Sequence, residues 1–361
     1  MKDYKFLRII EEKDIFPGGT VAFKTKFSER GQAMTKDEFN KYAMNLYEFT
    51  EYPAVKYKIL FSLFDVPYED EKLIELRKDF LKSDIVEEMA QTQDIHGGWG
   101  KLRSKDYSVK AKIPTSQTGI NRCLYIGLTI EDRDILFMVN EYLLSFLDGT
   151  NEEKLYDKNE RANPWQMAEI CNLIEAIQPN TPECDEIYNQ WLYIANRAYE
   201  SGEYSYEADR AAQHEVFFTR EDRLVPMQSE LLLKRRELLG PEIENAMLRH
   251  LGGLANQTGY FWDKIPSKLP EDFKNNKMRR WFHTFNYINQ FQGSELYLKD
   301  AVDWLQEQIG ENGLWDWGTQ TKDPWGYFGY FSCNRHYQHN RVVDCTMEIL
   351  SFLKKYLDNN S

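Results

Sequence analysis

No apolar run in this 361-residue chain approaches the ~18 residues that a helix needs to cross a bilayer, so no transmembrane segment is expected. The first residues, MKDYKFLRIIEEKD, also lack the apolar core of a secretory signal, and a cytoplasmic protein is expected. Positive charge is in deficit: 45 Lys and Arg stand against 58 Asp and Glu, a net charge of −13. A field of that sign repels phosphate backbones and anionic headgroups, which argues against nucleic acid as a partner. Cysteine is scarce and odd in number. Cys123, Cys171, Cys184, Cys333 and Cys345 lie mostly at helical apolar positions, the pattern of reduced core thiols and not of a disulfide frame.

Aromatics are plentiful, at 9 Trp, 22 Tyr and 21 Phe or 14% of the chain. That is more than helix packing alone requires, and some of them are expected to line a cavity. Several recur in one grammar, a polar turn with Gly followed two residues later by an aromatic. It closes AVDWLQEQIGENGLWDWG (301–318) and recurs in QTQDIHGGWG (91–100), SGEYSY (201–206) and NQTGYFW (256–262). From Gly97 to Gly149, Gly202, Gly259 and Gly313 the steps are 52, 53, 57 and 54 residues, with Gly149 the weakest copy. A fixed period of this size means stacked supersecondary units, and each step has room for two helices and two loops.

Residues 1–33 read as an extended strap with a Pro-Gly turn at Phe16-Pro17-Gly18-Gly19. Thr35-Lys36-Asp37-Glu38 predicts a helix start, with a second helix after Pro53 and one outer helix over 70–93. Tyr206–Val225 reads as a long polar connection, and 228–239 with 242–254 as a helix pair. A last helix over 342–357 has no partner after it, so closure against the first helix would leave no end exposed. The expected fold is all-α: an α/α toroid of about six helical hairpins forming one domain over 34–361.

Trp304-Leu305 with Gln308, Gly313 and Trp315, and Gln91 or Gln93 with Gly97 and Trp99, resemble the glutamine-tryptophan repeat of squalene and terpenoid cyclases and of protein prenyltransferase β subunits. The resemblance spans about 36–357 as a repeat scheme, and the copies at Gly202 and Gly259 carry Tyr204 and Phe261 in place of Trp. It implies that these Gln and Trp residues tie outer helices to turns and lie outside the central cavity. It further implies a bowl for a small hydrophobic, isoprenoid-like ligand, with Asp344 in Val342-Val343-Asp344-Cys345-Thr346 on the position of the acid of protonating cyclases. The carboxylates that flank that acid are replaced by Val342 and Cys345, and no Asp-Asp-x-x-Asp run for Mg²⁺ and diphosphate is present. No metal or other cofactor is expected. Cys333, His336 and His339 hold metal-type ligands without finger-like pairing, and Asp94 with His96 reads as a turn cap more readily than as an acid–base pair.

In a helical ring the helices after the outer turns form the inner wall, and polar or aromatic residues in their first turns face the cavity. That geometry selects Gln117, Asn121, Trp165, Glu169, Trp281, His283, Arg341 and Asp344. If the chain is an enzyme of the resembled class, Asp344 is its acid, and Asn121, Trp165, Glu169, Trp281 and His283 shape the substrate site. The alternatives are a carbohydrate-active enzyme on an α/α barrel, with Glu169 and Asp344 as its two carboxylates and aromatics stacking on sugar faces, or a non-catalytic binding toroid.

Overall fold

The computed structural model describes residues 34–103, 113–151, 164–218, 226–253, 269–270, 273–274, 278–318, 331 and 337–359, without the side chains of 226–228, 253, 279–280 and 283. Among them every regular element is a helix and no strand occurs. Met34–Ser361 forms one compact unit; the strap expected over 1–33 lies outside the described residues.

Thr35 opens α1 (Lys36–Phe49) with a reciprocal capping box, its hydroxyl accepting the Glu38 N–H at 3.2 Å while Glu38 accepts the Thr35 N–H at 3.0 Å. Pro53 starts α2 (Pro53–Lys58), which runs on through a π turn, Ile59–Leu63. The other helices are α3 (Glu71–Leu81), α4 (Asp84–Thr92), α5 (Ser116–Ile126), α6 (Asp134–Leu147), α7 (Pro164–Ile177), α8 (Asp185–Ala198), α9 (Tyr206–Phe217), α10 (Pro226–Lys234), α11 (Arg236–Leu239), α12 (Pro241–Gly253), α13 (Met278–Ile288), α14 (Glu295–Glu307) and α15 (Gln338–Asn359).

Three segments differ from the sequence reading, each for a local reason. The outer helix expected over 70–93 is two helices, because the chain tightens at Lys82 and Ser83 restarts it ahead of Asp84. Tyr206–Phe217 is helical, capped by Ser205, although its buried face holds Asp209, Ala212 and Gln213. Those polar groups satisfy each other: Tyr204 Oη and Gln213 Nε2 donate to Asp209 at 2.6 and 2.7 Å, so the face is buried without an apolar period. The helix expected over 228–239 breaks at Arg235, whose guanidinium reaches back to Asp185, Glu175 and the Thr181 carbonyl at 2.5–2.8 Å. Removing one member of a buried ion pair strands the other, so Arg235→Met should cost about 3–5 kcal/mol of stability, read by urea unfolding. A loss below about 1 kcal/mol would show that the strut carries no load.

The aromatic turns work as joints. Gly97 holds φ +94°, and a Cβ there would lie 2.1 Å from the Met138 carbonyl oxygen, so no other residue fits. Gln93 Nε2 donates to the carbonyls of Gly97 (2.8 Å) and Ile135 (3.0 Å), tying α4 and its turn to α6. Trp99 Nε1 donates back to Thr92 Oγ1 and the Met89 carbonyl at the end of α4. Trp315 Nε1 donates in the same way to the Leu305 carbonyl of α14 at 2.8 Å. Each Trp backbone N–H is held by a hydroxyl of the next long helix, Ser116 of α5 or Thr346 of α15, both at 2.9 Å. The indoles of these turns donate their N–H groups to the ends of the preceding helices. Asp94 caps its turn by accepting from the N–H groups of His96, Gly98 and Gly100.

Six helices meet in sequence through named side chains. Lys58 of α2 sits 4.0 Å above the Tyr125 ring of α5 and donates to its carbonyl. Gln117 of α5 bonds Glu169 of α7, and Asn172 of α7 bonds Glu230 of α10. Gln290, just past α13, bonds Glu230, and Asn289 beside it bonds the Phe352 carbonyl of α15. Lys354 of α15 pairs with Asp65, just past the π turn of α2, at 2.9 Å. The first helix meets the last where Phe49 stacks on His339 at 4.7 Å and Tyr52 Oη donates to Asn340 at 2.6 Å.

Candidate functional site

Several of the contacts that join these helices are polar, and four amides among them bond three carboxylates. Glu169 is 5% exposed. It accepts a hydrogen bond from Gln117 Nε2 at 2.8 Å and an ion pair from Arg103, whose Nε also donates to Gln117 Oε1 at 3.1 Å. Glu230 takes amide bonds from Asn172 and Gln290, both at 3.2 Å. Glu348 takes a 3.5 Å contact from Asn286 of α13, and Tyr125 and Lys58 lie beside it. Helix geometry builds this set: residues 117, 121 and 125 recur every four positions on one face of α5, as do Glu230 with Lys234 on α10 and Asp344 with Glu348 on α15.

Burial sets the electrostatics. It pushes Glu169 up to about 7; the Arg103 guanidinium pulls the other way, and the Glu230 charge adds to the rise. Burial likewise raises Glu230 and Glu348. It lowers Lys58 to about 8 against the opposing pull of Glu348. Lys355 is solvent-exposed, yet the protein around it, with Lys234 and Arg236 adding repulsion, brings its ammonium down to about 8. Asn121 is exposed too, although Gln117 and Tyr125 on either side of it reach Glu169 and Glu348.

The residues selected from sequence separate into three groups. Glu169 belongs to the polar cluster, Asn121 lies exposed one turn from Gln117 on α5, and Trp165, half-buried in the first turn of α7, lies one turn before Glu169. Asp344 is 3% exposed and accepts the Phe331 N–H at 3.1 Å, one turn before Glu348. Trp281 packs between α13 and α14 against Phe285 (4.4 Å) and Trp304 (5.3 Å), in the interface of that hairpin. The side chain of His283, and Cys333 and His336, lie outside the described residues. His339 stacks on Phe49, and among the described residues no group of three or more His, Cys, Asp or Glu is placed to hold a metal ion. No described helix is long and apolar enough to cross a membrane.

Glu230, Glu348 and Lys58 escaped the sequence reading. Glu230 and Lys234 in SELLLK have the spacing of an ordinary surface ion pair, and no motif surrounds them. Glu348 carried a usable signal, a single carboxylate in the otherwise uncharged run CTMEILSF.

The set offers two proton-exchanging groups near neutral pH, Glu169 and Lys58, within a wall of amides that both donate and accept. Comparison with known protein families, curated proteins and solved structures found no match.

Proposed function

We propose that the six polar-lined helices form the inner wall of an α/α toroid and that its centre binds a hydroxyl-rich, sugar-like molecule for general acid–base catalysis. Glu169 is the proton donor in this reading, and Glu230, whose charge bears on it, is the partner carboxylate. The observation that carries it is the grouping of three carboxylates, Glu169 buried and Glu230 and Glu348 half-buried, with the amides of Gln117, Asn172, Asn286 and Gln290. Hydroxyl groups need donors and acceptors side by side, and glycoside hydrolysis needs one carboxyl group protonated while another is ionised. The pair weighed from sequence was Glu169 with Asp344; Glu230 is favoured because its charge is felt at Glu169, whereas Asp344 secures the Phe331 backbone.

An isoprenoid bowl with Asp344 as acid is the competing reading. A hydrocarbon there would take the water from ionised groups among Glu230, Glu348 and Lys58, at an effective cost of several kcal/mol per ion. Both readings are separated by melting the protein with neutral oligosaccharides and with prenyl diphosphates or squalene-like hydrocarbons, since a ligand of the folded state raises the melting temperature. Stabilisation by oligosaccharides, with release of new reducing ends, is the expected result. Stabilisation by the hydrocarbons alone would replace this function with the isoprenoid one, and no response to any ligand would favour a non-catalytic ring.

A further inference from the structure

The turn at Gly97–Trp99 joins two helices and also carries Arg103 to the Glu169 carboxyl. Ser116, the first residue of α5, fixes the stretch that leaves the turn. Its hydroxyl accepts the Trp99 N–H at 2.9 Å and donates to the Gly100 carbonyl at 2.8 Å. Its own N–H donates to the Lys101 carbonyl at 2.9 Å, and the Gln117 N–H donates to the Leu102 carbonyl at 3.1 Å. Residues 99–102 are thus laid along the first turn of α5, and Arg103 follows beside Gln117. At the Trp315 turn the ion pair closes within the joint, where Arg341 gives two bonds to Asp316 at 2.6 and 2.9 Å. Arg103 instead reaches across to α7.

There it closes a ring of three side chains. Arg103 Nε donates to Gln117 Oε1 at 3.1 Å, Gln117 Nε2 donates to Glu169 Oε1 at 2.8 Å, and Arg103 Nη2 pairs with the same Glu169 oxygen. Both donors fall on Oε1 and fill its two acceptor sites, while Oε2 has no hydrogen-bond partner among the described residues. A proton taken up by this carboxyl has one oxygen left to occupy. Glu230 of α10 is the other charge that bears on the group.

We propose that Arg103 and Gln117 are positioning residues: by holding Oε1 they keep the Glu169 proton on Oε2, the oxygen left to meet a bound molecule. The catalytic meaning of this placement rests on the function proposed above; the placement itself does not.

Wild type would be compared with Arg103→Gln, Gln117→Leu and Arg103→Lys, by carbon-13 titration of the Glu169 carboxyl and by the pH profile of reducing-end release. Each of the first two removes a donor to the ionised carboxylate, so the Glu169 midpoint should rise, by about one pH unit or more where the guanidinium charge is lost. The falling limb of activity should move up with it. A carboxyl free to turn presents either oxygen, so kcat should fall about tenfold or more while KM changes no more than a few-fold. Arg103→Lys keeps the charge and gives up the planar fork, so its midpoint should return towards that of wild type while kcat stays low. A merely structural role would lower the melting temperature and leave the pH limb in place. Midpoints unmoved in both Arg103→Gln and Gln117→Leu would overturn the placement, whatever the activity. A kcat within about threefold of wild type in both, or its full recovery in Arg103→Lys, would overturn the positioning role and leave the sugar reading standing. Raised midpoints beside undiminished activity of Glu169→Gln would uphold the proton on Oε2 and remove Glu169 as the donor of the sugar reading.

Discussion

Glu169→Gln should lower kcat by about 10²–10⁴-fold, the usual contribution of a positioned proton donor, while KM changes by no more than a few-fold. The substitution keeps the size of the side chain and an oxygen for the Gln117 amide, which donates at 2.8 Å, so the wall of the site survives and only the proton is lost. The pH profile carries the sign. A group acting as an acid works while protonated, so wild-type activity should decline as pH rises through about 7, the value to which burial pushes Glu169. That limb should be missing from the residual activity of the variant. Retention of activity within about threefold would remove Glu169 from the chemistry and leave it as the counter-ion of Arg103. The assay is reducing-end release from the oligosaccharide that stabilises the protein.

The second large effect concerns the joints. Trp315→Ala should destabilise the protein by about 3–5 kcal/mol, the range for deleting a fully buried aromatic. The indole is 0% exposed, packs edge-on against Tyr42 of α1 at 5.5 Å and donates to the end of α14, so its loss loosens the meeting of the first and last helices. Trp315→Phe keeps most of the packing and gives up the hydrogen bond to Leu305, which should cost about 1 kcal/mol beyond the lost volume. Urea unfolding followed by far-ultraviolet circular dichroism separates the two variants. Equal costs for Ala and Phe would place the whole contribution in the hydrogen bond, and a loss under 1 kcal/mol for Ala would deny the turn its structural role.

The joints were the most legible part of the chain, because glycine and tryptophan leave marks that survive in sequence. Gly97 is forced by a positive φ and by the Met138 carbonyl, and Trp99 and Trp315 recur because each reaches back to the end of the preceding helix. Helix starts with a side-chain cap were equally readable, as at Thr35. Burial achieved by polar groups satisfying one another was not. The α9 face built on Asp209 and Gln213 looks like a loop to any apolar period, and the break at Arg235 depends on Glu175, sixty positions earlier.

The centre shows the same limit more sharply. Asn121 and Glu169 were reachable by asking which residues open the helices that follow the turns. Glu348 lies further along its helix, and Glu230 and Lys58 lie in helices that follow no aromatic turn, where a charged residue in a helical run reads as solvated surface. Trp281 illustrates the converse: it opens a helix after a loop, but its indole turns to Trp304 of the neighbouring α14. Position along a helix is visible in sequence, whereas the face that meets the centre depends on how each hairpin is rotated.

The most direct measurement is a carbon-13 NMR titration of the glutamate side-chain carboxyls, with Glu169→Gln supplying the assignment. A Glu169 midpoint near 7, against the ordinary value of 4.5, is the expected result, because burial outweighs the Arg103 ion pair. A midpoint at or below 4.5 would mean that the ion pair dominates and the carboxyl is ionised throughout, which would contradict an acid–base centre at this place.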